Sequence, residues 1–169
     1  SYVRNILQGV KRIDNLVLDL LDLSRIEAGL GMQETSCNLG VLVAEAVSSL
    51  RPRATEKGIS LQIHPPLEAS EEGKEAMVSG DRALLRQVFI NLLDNAIKYT
   101  PQGGKVAAGL SVEGENGQSK ATVRVADTGI GIAPDEQVRL FEKFYRTKRG
   151  NRSGAAGTGL GLAIVKSVV

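Results

Sequence analysis

The chain has 169 residues, 42% hydrophobic and 24% charged, a composition that argues against disorder and fits one domain with or without an appendage. A net charge of +2 makes no electrostatic case for nucleic-acid binding, and the single cysteine, Cys37, excludes an intrachain disulfide framework. No apolar run reaches the roughly 18 residues of a membrane span, and the lone His64 has no cysteine or second histidine with which to build a zinc site.

Residues 1 to about 28 are expected to form one long helix. Val3, Ile6, Val10, Ile13, Val17 and Leu20 recur by three and four. Leu7, Leu16 and Leu23 widen the stripe beyond a two-stranded seam, as a helical hairpin or four-helix bundle requires. Gly29 and Gly31 end it. Nothing inside these residues covers the stripe, so another helix is the expected partner; packing on the rest of the chain is the alternative.

Residues 32–38 read as a polar joint. Asn38 can cap a helix over about 39–57, with Leu39, Leu42, Val43, Ala46, Val47 and Leu50 on one face. Pro52 inside that span argues for a kink or an earlier end. Ile59, Leu61 and Ile63 alternate as a strand closed by Pro65 and Pro66, and the acidic stretch from Glu68 to Glu75 reads as a solvated loop. Asp81 caps a third helix to about Lys98. Gly103 and Gly104 turn the chain into a strand with Val106, Ala108, Leu110 and Val112, and Glu113 to Ser119 form a hairpin loop before a returning strand at Val123 and Val125. Asp127 to Gly131 leaves as a glycine loop, Pro134 opens a short helical segment, and a last helix begins near Leu160. Without regular βαβ alternation, this order predicts an α+β fold: a two-layer α/β sandwich, with a mixed sheet and helices on one face, behind one long bundle-type helix. The chain opens and stops inside helical patterns, which reads as a fragment.

Twelve of the nineteen glycines lie between Gly103 and Gly161, and five of the six aromatic residues between Phe89 and Tyr145. A ligand site is therefore expected in the second half, where backbone can approach closely and rings can stack. On the third helix Asn91, Asn95 and Lys98 stand at i, i+4 and i+7, flanked by Val88 and Leu92, with Phe89, Ile90, Leu93 and Ile97 toward the core. Two carboxamides and an ammonium in a row suit a polyphosphate and its metal, because an Asn oxygen can complete a Mg²⁺ shell that phosphate and water otherwise fill. Taken alone, such a face could simply meet water.

Asp127-Thr128-Gly129-Ile130-Gly131-Ile132 sets a carboxylate before alternating glycines. It could accept from an exocyclic amine such as adenine N6 while the backbone hugs a flat base, although an ordinary turn has the same look. Gly157-Thr158-Gly159-Leu160-Gly161-Leu162 leads into a helix whose amides can form an anion site. It lacks the Lys-Ser/Thr of a P-loop and the spacing of a dinucleotide fingerprint. Between them lie Phe141-Glu142-Lys143-Phe144-Tyr145-Arg146 and a basic, polar stretch to Ala156. It reads as a mobile lid over nucleotide, anchored by Phe141 and Phe144, or else as a solvated loop.

In this order and spacing the segments resemble the boxes of sensor histidine kinases. Asn91-Leu-Leu-Asp-Asn95-Ala-Ile-Lys98-Tyr99-Thr100 is similar to the N box, Asp127-Thr-Gly129-Ile-Gly131 to the G1 box, Phe141-Glu-Lys-Phe144-Tyr145-Arg146 to the F box, and Gly157-Thr-Gly159-Leu-Gly161-Leu to the G2 box. Leu20-Leu-Asp-Leu-Ser24-Arg25-Ile26-Glu27-Ala28-Gly29 resembles the end of the second helix in the dimerisation and histidine-phosphotransfer hairpin. The likeness covers nearly the whole chain and implies the Bergerat ATP-binding fold of the GHKL type.

By that resemblance, Asn95 would hold Mg²⁺, with Asn91 facing the phosphates beside it. Lys98 would contact phosphate and Tyr99 would flank adenine. Asp127 would bind adenine N6, partly through water, in a pocket shaped by Gly129, Ile130, Gly131 and Ile132. Phe144, Tyr145 and Arg146 would join the nucleotide from the F box, Arg146 reaching the γ-phosphate. Thr158, Gly159, Leu160, Gly161 and Leu162 would line the phosphates. Catalysis would fall to Asn91, Asn95, Lys98 and Arg146. The implied plan is a hairpin helix over 1–31, a joint over 32–38, and a catalytic domain over 39–169 cut before its last strands. The implied partners are ATP or ADP with Mg²⁺, a second copy of the kinase chain through helix 1–28, and a response-regulator receiver domain. Nucleic acid and membrane contact are not expected, and the implied location is the cytoplasm.

Two departures stand out. The first hairpin helix, with its phosphoacceptor histidine, is not in the sequence. His64 cannot replace it, because it ends a strand, precedes Pro65-Pro66 and has no acidic neighbour. Binding of ATP without phosphorylation of its usual histidine is the expected behaviour. Clamp ATPases on the same fold are the nearest rival, but they use a catalytic Glu where Asn91 stands and lack the F box. A degenerate nucleotide-binding dimerisation module is the third reading; intact Asn95, Asp127 and both glycine loops oppose it.

Overall fold

The computed structural model describes residues 2–64, 76–114, 120–152 and 157–169. Its elements run α1 (Tyr2–Glu27), β1 (Glu34–Asn38), α2 (Leu39–Glu56), β2 (Ser60–Ile63), β3 (Met77–Asp81), α3 (Arg82–Tyr99), β4 (Lys105–Glu113), β5 (Lys120–Asp127), α4 (Pro134–Gln137), α5 (Lys148–Arg152) and α6 (Gly161–Val168). The chain divides into two compact units, Gln33–Gly131 and Ser1–Met32 with Ile132–Val169.

In the first of these units, β2, β4 and β5 form the expected mixed sheet. β2 runs parallel to β4, with Ser60 opposite Lys105, and β5 antiparallel to β4, with Asp127 opposite Val106. Val106 and Ala108 are buried at alternate positions of β4, while Lys105 is exposed. α2 and α3 pack on one another and on this sheet. Leu42, Val43, Ala46 and Val47 meet Val88, Phe89, Leu93 and Ile97 in a core where each large side chain contributes about 1.5–3 kcal/mol. Val88, expected at the edge of the polar face, is buried, and Ile90 is only half-buried.

Two features differ from the sequence reading. The polar joint contains a strand: β1 pairs antiparallel with β3, Glu34 opposite Asp81, in a separate two-stranded ribbon. Within β1 only Cys37 is buried, so no apolar alternation marks it, and its partner residues lie 39 to 47 positions on in the chain. α2 also continues through Pro52 to Glu56. The carbonyl that proline leaves unpaired belongs to exposed Ser48, where water can serve it. Pro65, Pro66, the acidic stretch and the tip of the β4–β5 hairpin lie outside the described residues.

The helix starts follow their caps. Asn38 Oδ1 accepts from the Val41 N–H at 3.2 Å. Asp81 Oδ1 accepts from the Ala83 and Leu84 amides at 2.9 and 3.1 Å, while Oδ2 accepts from the Gln33 amide at 3.0 Å. One carboxylate therefore starts α3 and ties down the approach to β1.

In the other unit, α1 ends where Gly29 takes a φ of 63°. The Gly29 amide donates to Ile26 O and the Leu30 amide to Arg25 O, the paired bonds of a Schellman stop. α1 packs against α6 and buries Leu23 and Ile26 near its C-terminal end. Farther back the stripe is open: Val3 is 67% exposed and Val17 48%. Pro134 stands first in α4, where its missing N–H costs nothing. No helix among the described residues is long and apolar enough to cross a membrane.

Candidate functional site

Asn91, Asn95 and Lys98 lie half-buried along α3. Asn91 Oδ1 accepts from Gln87 Nε2 at 3.2 Å. The Asn95 carboxamide has no hydrogen-bond partner among the described residues. Lys98 Nζ stands 5.0 Å from the Tyr99 ring centroid, a cation–π contact that keeps the two side chains together. Among the described residues no cluster of three or more His, Cys, Asp or Glu could hold a metal. A single unpartnered carboxamide fits the other mode of Mg²⁺ binding, in which phosphate oxygens and water fill most of the shell.

The loop after β5 hangs from the end of α3. The Ile130 amide donates to Tyr99 O at 3.2 Å. On the other side Thr128 and Lys105 exchange bonds, the Thr128 amide to Lys105 O at 3.0 Å and the Lys105 amide to Thr128 Oγ1 at 2.9 Å. Asp127 Oδ1 accepts from the Gly129 amide at 2.8 Å, closing an Asx turn. A Cβ on Gly129 would sit 2.7 Å from Tyr99 O, so only glycine permits this approach. Gly131 needs glycine for a different reason, a φ of 65°. Asp127 is exposed and its Oδ2 has no partner among the described residues. Exposed Ile130 offers an apolar surface beside it.

In the other unit the F-box and G2-box segments are likewise joined through backbone. The Phe144 amide donates to Gly159 O at 3.0 Å. Phe144 has a φ of 64°, the one positive value among described non-glycine residues, and Gly159 a φ of 77°. Thr158 Oγ1 donates to Asp19 Oδ2 at 2.7 Å and accepts from the Leu160 amide at 3.2 Å. Leu160 is fully buried and precedes Gly161 at the start of α6, with Leu162 half-buried one residue on. Lys143 pairs with Glu27 at 2.8 Å. Ile132 O accepts from Gln137 Nε2 at 3.2 Å.

The expected anchor of the basic segment is corrected here. Phe141 and Phe144 are 44% and 54% exposed, too open to anchor anything by burial. Glu136 takes that place. It is 6% exposed, accepts from the Lys148 amide at 2.8 Å and from the Tyr145 hydroxyl at 3.5 Å. Burial first, then the Glu136 carboxylate, raises the Tyr145 pKa above its ordinary value, and the Arg139 guanidinium lies 4.4 Å from the Tyr145 ring centroid. The stretch expected to be irregular forms α5 over Lys148–Arg152, whose first turn is closed by the Gly150 amide on Thr147 Oγ1. Arg146 donates to Gly150 O at 3.3 Å. Residues 153–156 lie outside the described residues. In the sequence Glu136 is one of two adjacent acids after a proline, and nothing there separates the buried one from the exposed one.

These two groups of residues have counterparts in known proteins. Residues 80–169 match the family of histidine kinase-, DNA gyrase B- and HSP90-like ATPases, and the chain belongs to that family. Within it, the relatives and solved neighbours single out one branch: this is the ATP-binding catalytic domain of a sensor histidine kinase. The sensor-like histidine kinase SenX3 of Mycobacterium tuberculosis is 33% identical over 168 residues, covering 99% of this chain and 38% of the relative. The circadian input-output histidine kinase CikA of Synechococcus elongatus is 36% identical over 170 residues, all of this chain and 22% of that one. Full-length ShkA, solved in complex with AMPPNP, aligns with a TM-score of 0.72 and 30% identity over 99% of this chain and 33% of its own. The Acinetobacter baumannii histidine kinase AdeS aligns with a TM-score of 0.69 and 26% identity, covering 98% of this chain and 71% of its own. The chain thus spans well under half the length of the curated relatives named here.

Proposed function

We propose that this chain binds Mg-ATP as the catalytic part of a protein-histidine kinase, whose complete chain passes the γ-phosphoryl group to a histidine and then to a response-regulator aspartate. The observation that carries the reading is the pairing, within Gln33–Gly131, of two unpartnered acceptors: Asp127 Oδ2 beside its glycine loop and the Asn95 carboxamide on α3. A carboxylate is an acceptor suited to an adenine amine, and a carboxamide oxygen is a ligand that Mg²⁺ accepts.

Phosphoryl transfer calls mainly for positioning and charge neutralisation. In this proposal Asp127 accepts from adenine N6, Gly129, Ile130 and Gly131 shape the surface under the ring, and Tyr99 flanks it. Asn91 and Lys98 face phosphate, and Asn95 holds Mg²⁺, which when bound neutralises phosphate charge. By the family resemblance, Arg146 would reach the γ-phosphate and the segment of Thr158, Gly159, Leu160, Gly161 and Leu162 would line the phosphates. The open stripe of α1 from Val3 to Val17 supports a bundle with a second copy of the chain, and the receiver domain is the proposed acceptor partner. Residues 1–31 then act as the second hairpin helix, 32–38 as the joint and 39–169 as the catalytic domain.

Calorimetric titration with Mg-ADP tests the site. Saturable binding is expected at nucleotide concentrations up to millimolar; no heat at millimolar nucleotide overturns the proposal. Incubation with γ-labelled ATP should leave the chain itself unlabelled, and label on His64 would overturn its exclusion as acceptor.

A further inference from the structure

We propose that Lys57 is a positioning residue that holds the last turn of α3, and through it the adenine-binding loop, in register; the adenine role rests on the nucleotide reading above. Lys57 is the C-cap of α2. Gly58, with a φ of 68°, turns the chain away there, its amide donating to Thr55 O at 2.9 Å and the Ile59 amide to Ala54 O at 2.8 Å. This stop aims the lysine stem at the end of α3. Its Nζ donates to Ile97 O at 2.8 Å and to Lys98 O at 2.6 Å.

A helix leaves its last four carbonyls without internal partners, and a lost partner there is costly when the group is shielded from water. At α3 all four are accounted for. The Thr100 amide takes Ala96 O at 3.1 Å, Lys57 takes Ile97 O and Lys98 O, and the Ile130 amide takes Tyr99 O. The cation also sits at the negative end of the helix dipole. Lys57 and Ile130 therefore share the same turn, one from α2 and one from the loop after β5. That turn carries Lys98 and Tyr99, and Gly129 lies against its final carbonyl. If the Lys57 bonds are lost, the turn is free to fray, and the Tyr99 carbonyl that seats Ile130 moves with it. The Lys57 ammonium bonds backbone carbonyls and not the side chains assigned to nucleotide, so its effect is transmitted through backbone. The buried α2–α3 core keeps the two helices docked without it, and Arg53 pairs with Asp94 across them.

The test compares Lys57→Met, which keeps the stem and loses the donor, with Lys57→Arg, which restores one. Circular dichroism should show both folded. In ¹H–¹⁵N spectra without nucleotide, Lys57→Met should displace the Ile130 and Gly129 amides while those of β2 and the α3 N-terminus stay in place. Its ADP affinity should fall about tenfold, the scale of a small misplacement transmitted to a site, with most of the loss recovered in Lys57→Arg. Unmoved Ile130 and Gly129 amides overturn the proposal, as does ADP binding by Lys57→Met within about twofold of the unsubstituted chain. If Lys57→Met does not fold, Lys57→Ala, which also removes the donor, takes its place under the same criteria. If the unsubstituted chain itself fails to bind ADP, the nucleotide reading falls, and the amide displacements still decide whether Lys57 positions the loop.

Discussion

The Thr158 hydroxyl donates to the Asp19 carboxylate at 2.7 Å, joining the glycine loop before α6 to a helix that precedes it by 139 positions. A hydrogen bond to a charged acceptor contributes about 1.5–3 kcal/mol, less where water reaches it. Asp19→Ala and Thr158→Val should each lower stability, and the double substitution should cost less than their sum by about 1 kcal/mol. Denaturant unfolding of the four proteins measures this. A strictly additive cycle would show the contact has no energetic weight.

Glycines that look alike in sequence should respond differently to a methyl group. A Cβ on Gly159 would lie 2.7 Å from the Phe144 carbonyl carbon, on a residue whose φ is already 77°. At Gly131, with a φ of 65°, a Cβ meets nothing within 4 Å. Gly131→Ala should cost about 1 kcal/mol from backbone strain alone, and Gly159→Ala about 2–4 kcal/mol from strain plus overpacking. Equal shifts in the unfolding midpoints of the two variants would refute the steric argument.

Asp127→Asn should weaken ADP binding more than Lys98→Ala does. The Asx turn needs only an acceptor for the Gly129 amide, which an Asn Oδ1 still provides. At the other position the amide NH₂ would then confront the donor of adenine, and the charge is gone. The expected loss is about 1.5–3 kcal/mol. Lys98 is half-buried and shares its phosphate with Mg²⁺ in the proposed site, so its removal should cost about 1 kcal/mol or less. Affinity that survives Asp127→Asn and fails in Lys98→Ala would place adenine recognition elsewhere.

Acid should weaken the cap of α3. The Gln33 amide, against a smaller desolvation penalty, and then the Leu84 and Ala83 amides hold the Asp81 carboxyl below its ordinary pKa. As pH falls the unfolded chain takes up this proton first, so the stabilisation is complete above the ordinary carboxylate value of about 4 and disappears as pH drops through the folded value. Asp81→Asn, which can cap but carries no charge, should be less stable than the parent by about 1 kcal/mol at neutral pH. That difference should shrink when unfolding is repeated near pH 3. A gap that does not change with pH would mean the charge is irrelevant to the cap.

Periodicity and local chemistry determined the long elements. α2 and α3 were legible because Asn38 and Asp81 cap amphipathic runs, and β4 because Val106 and Ala108 alternate; each signal lies within a few residues of the element it predicts. The four boxes were legible through their resemblance to those of sensor histidine kinases, which rests on their order and spacing in the chain; the shared helical face of Asn91, Asn95 and Lys98 is local and left their role open. Only the folded chain decided the rest, because it depends on pairs distant in sequence. β1 and β3 are strands through each other, with one buried side chain in β1 to betray it. Glu136 is set apart from its neighbour Asp135 by being enclosed and by accepting from the Lys148 amide and the Tyr145 hydroxyl. Lys57 gains its partners from carbonyls forty positions away, at the end of a helix whose orphan acceptors no sequence pattern can assign to a donor.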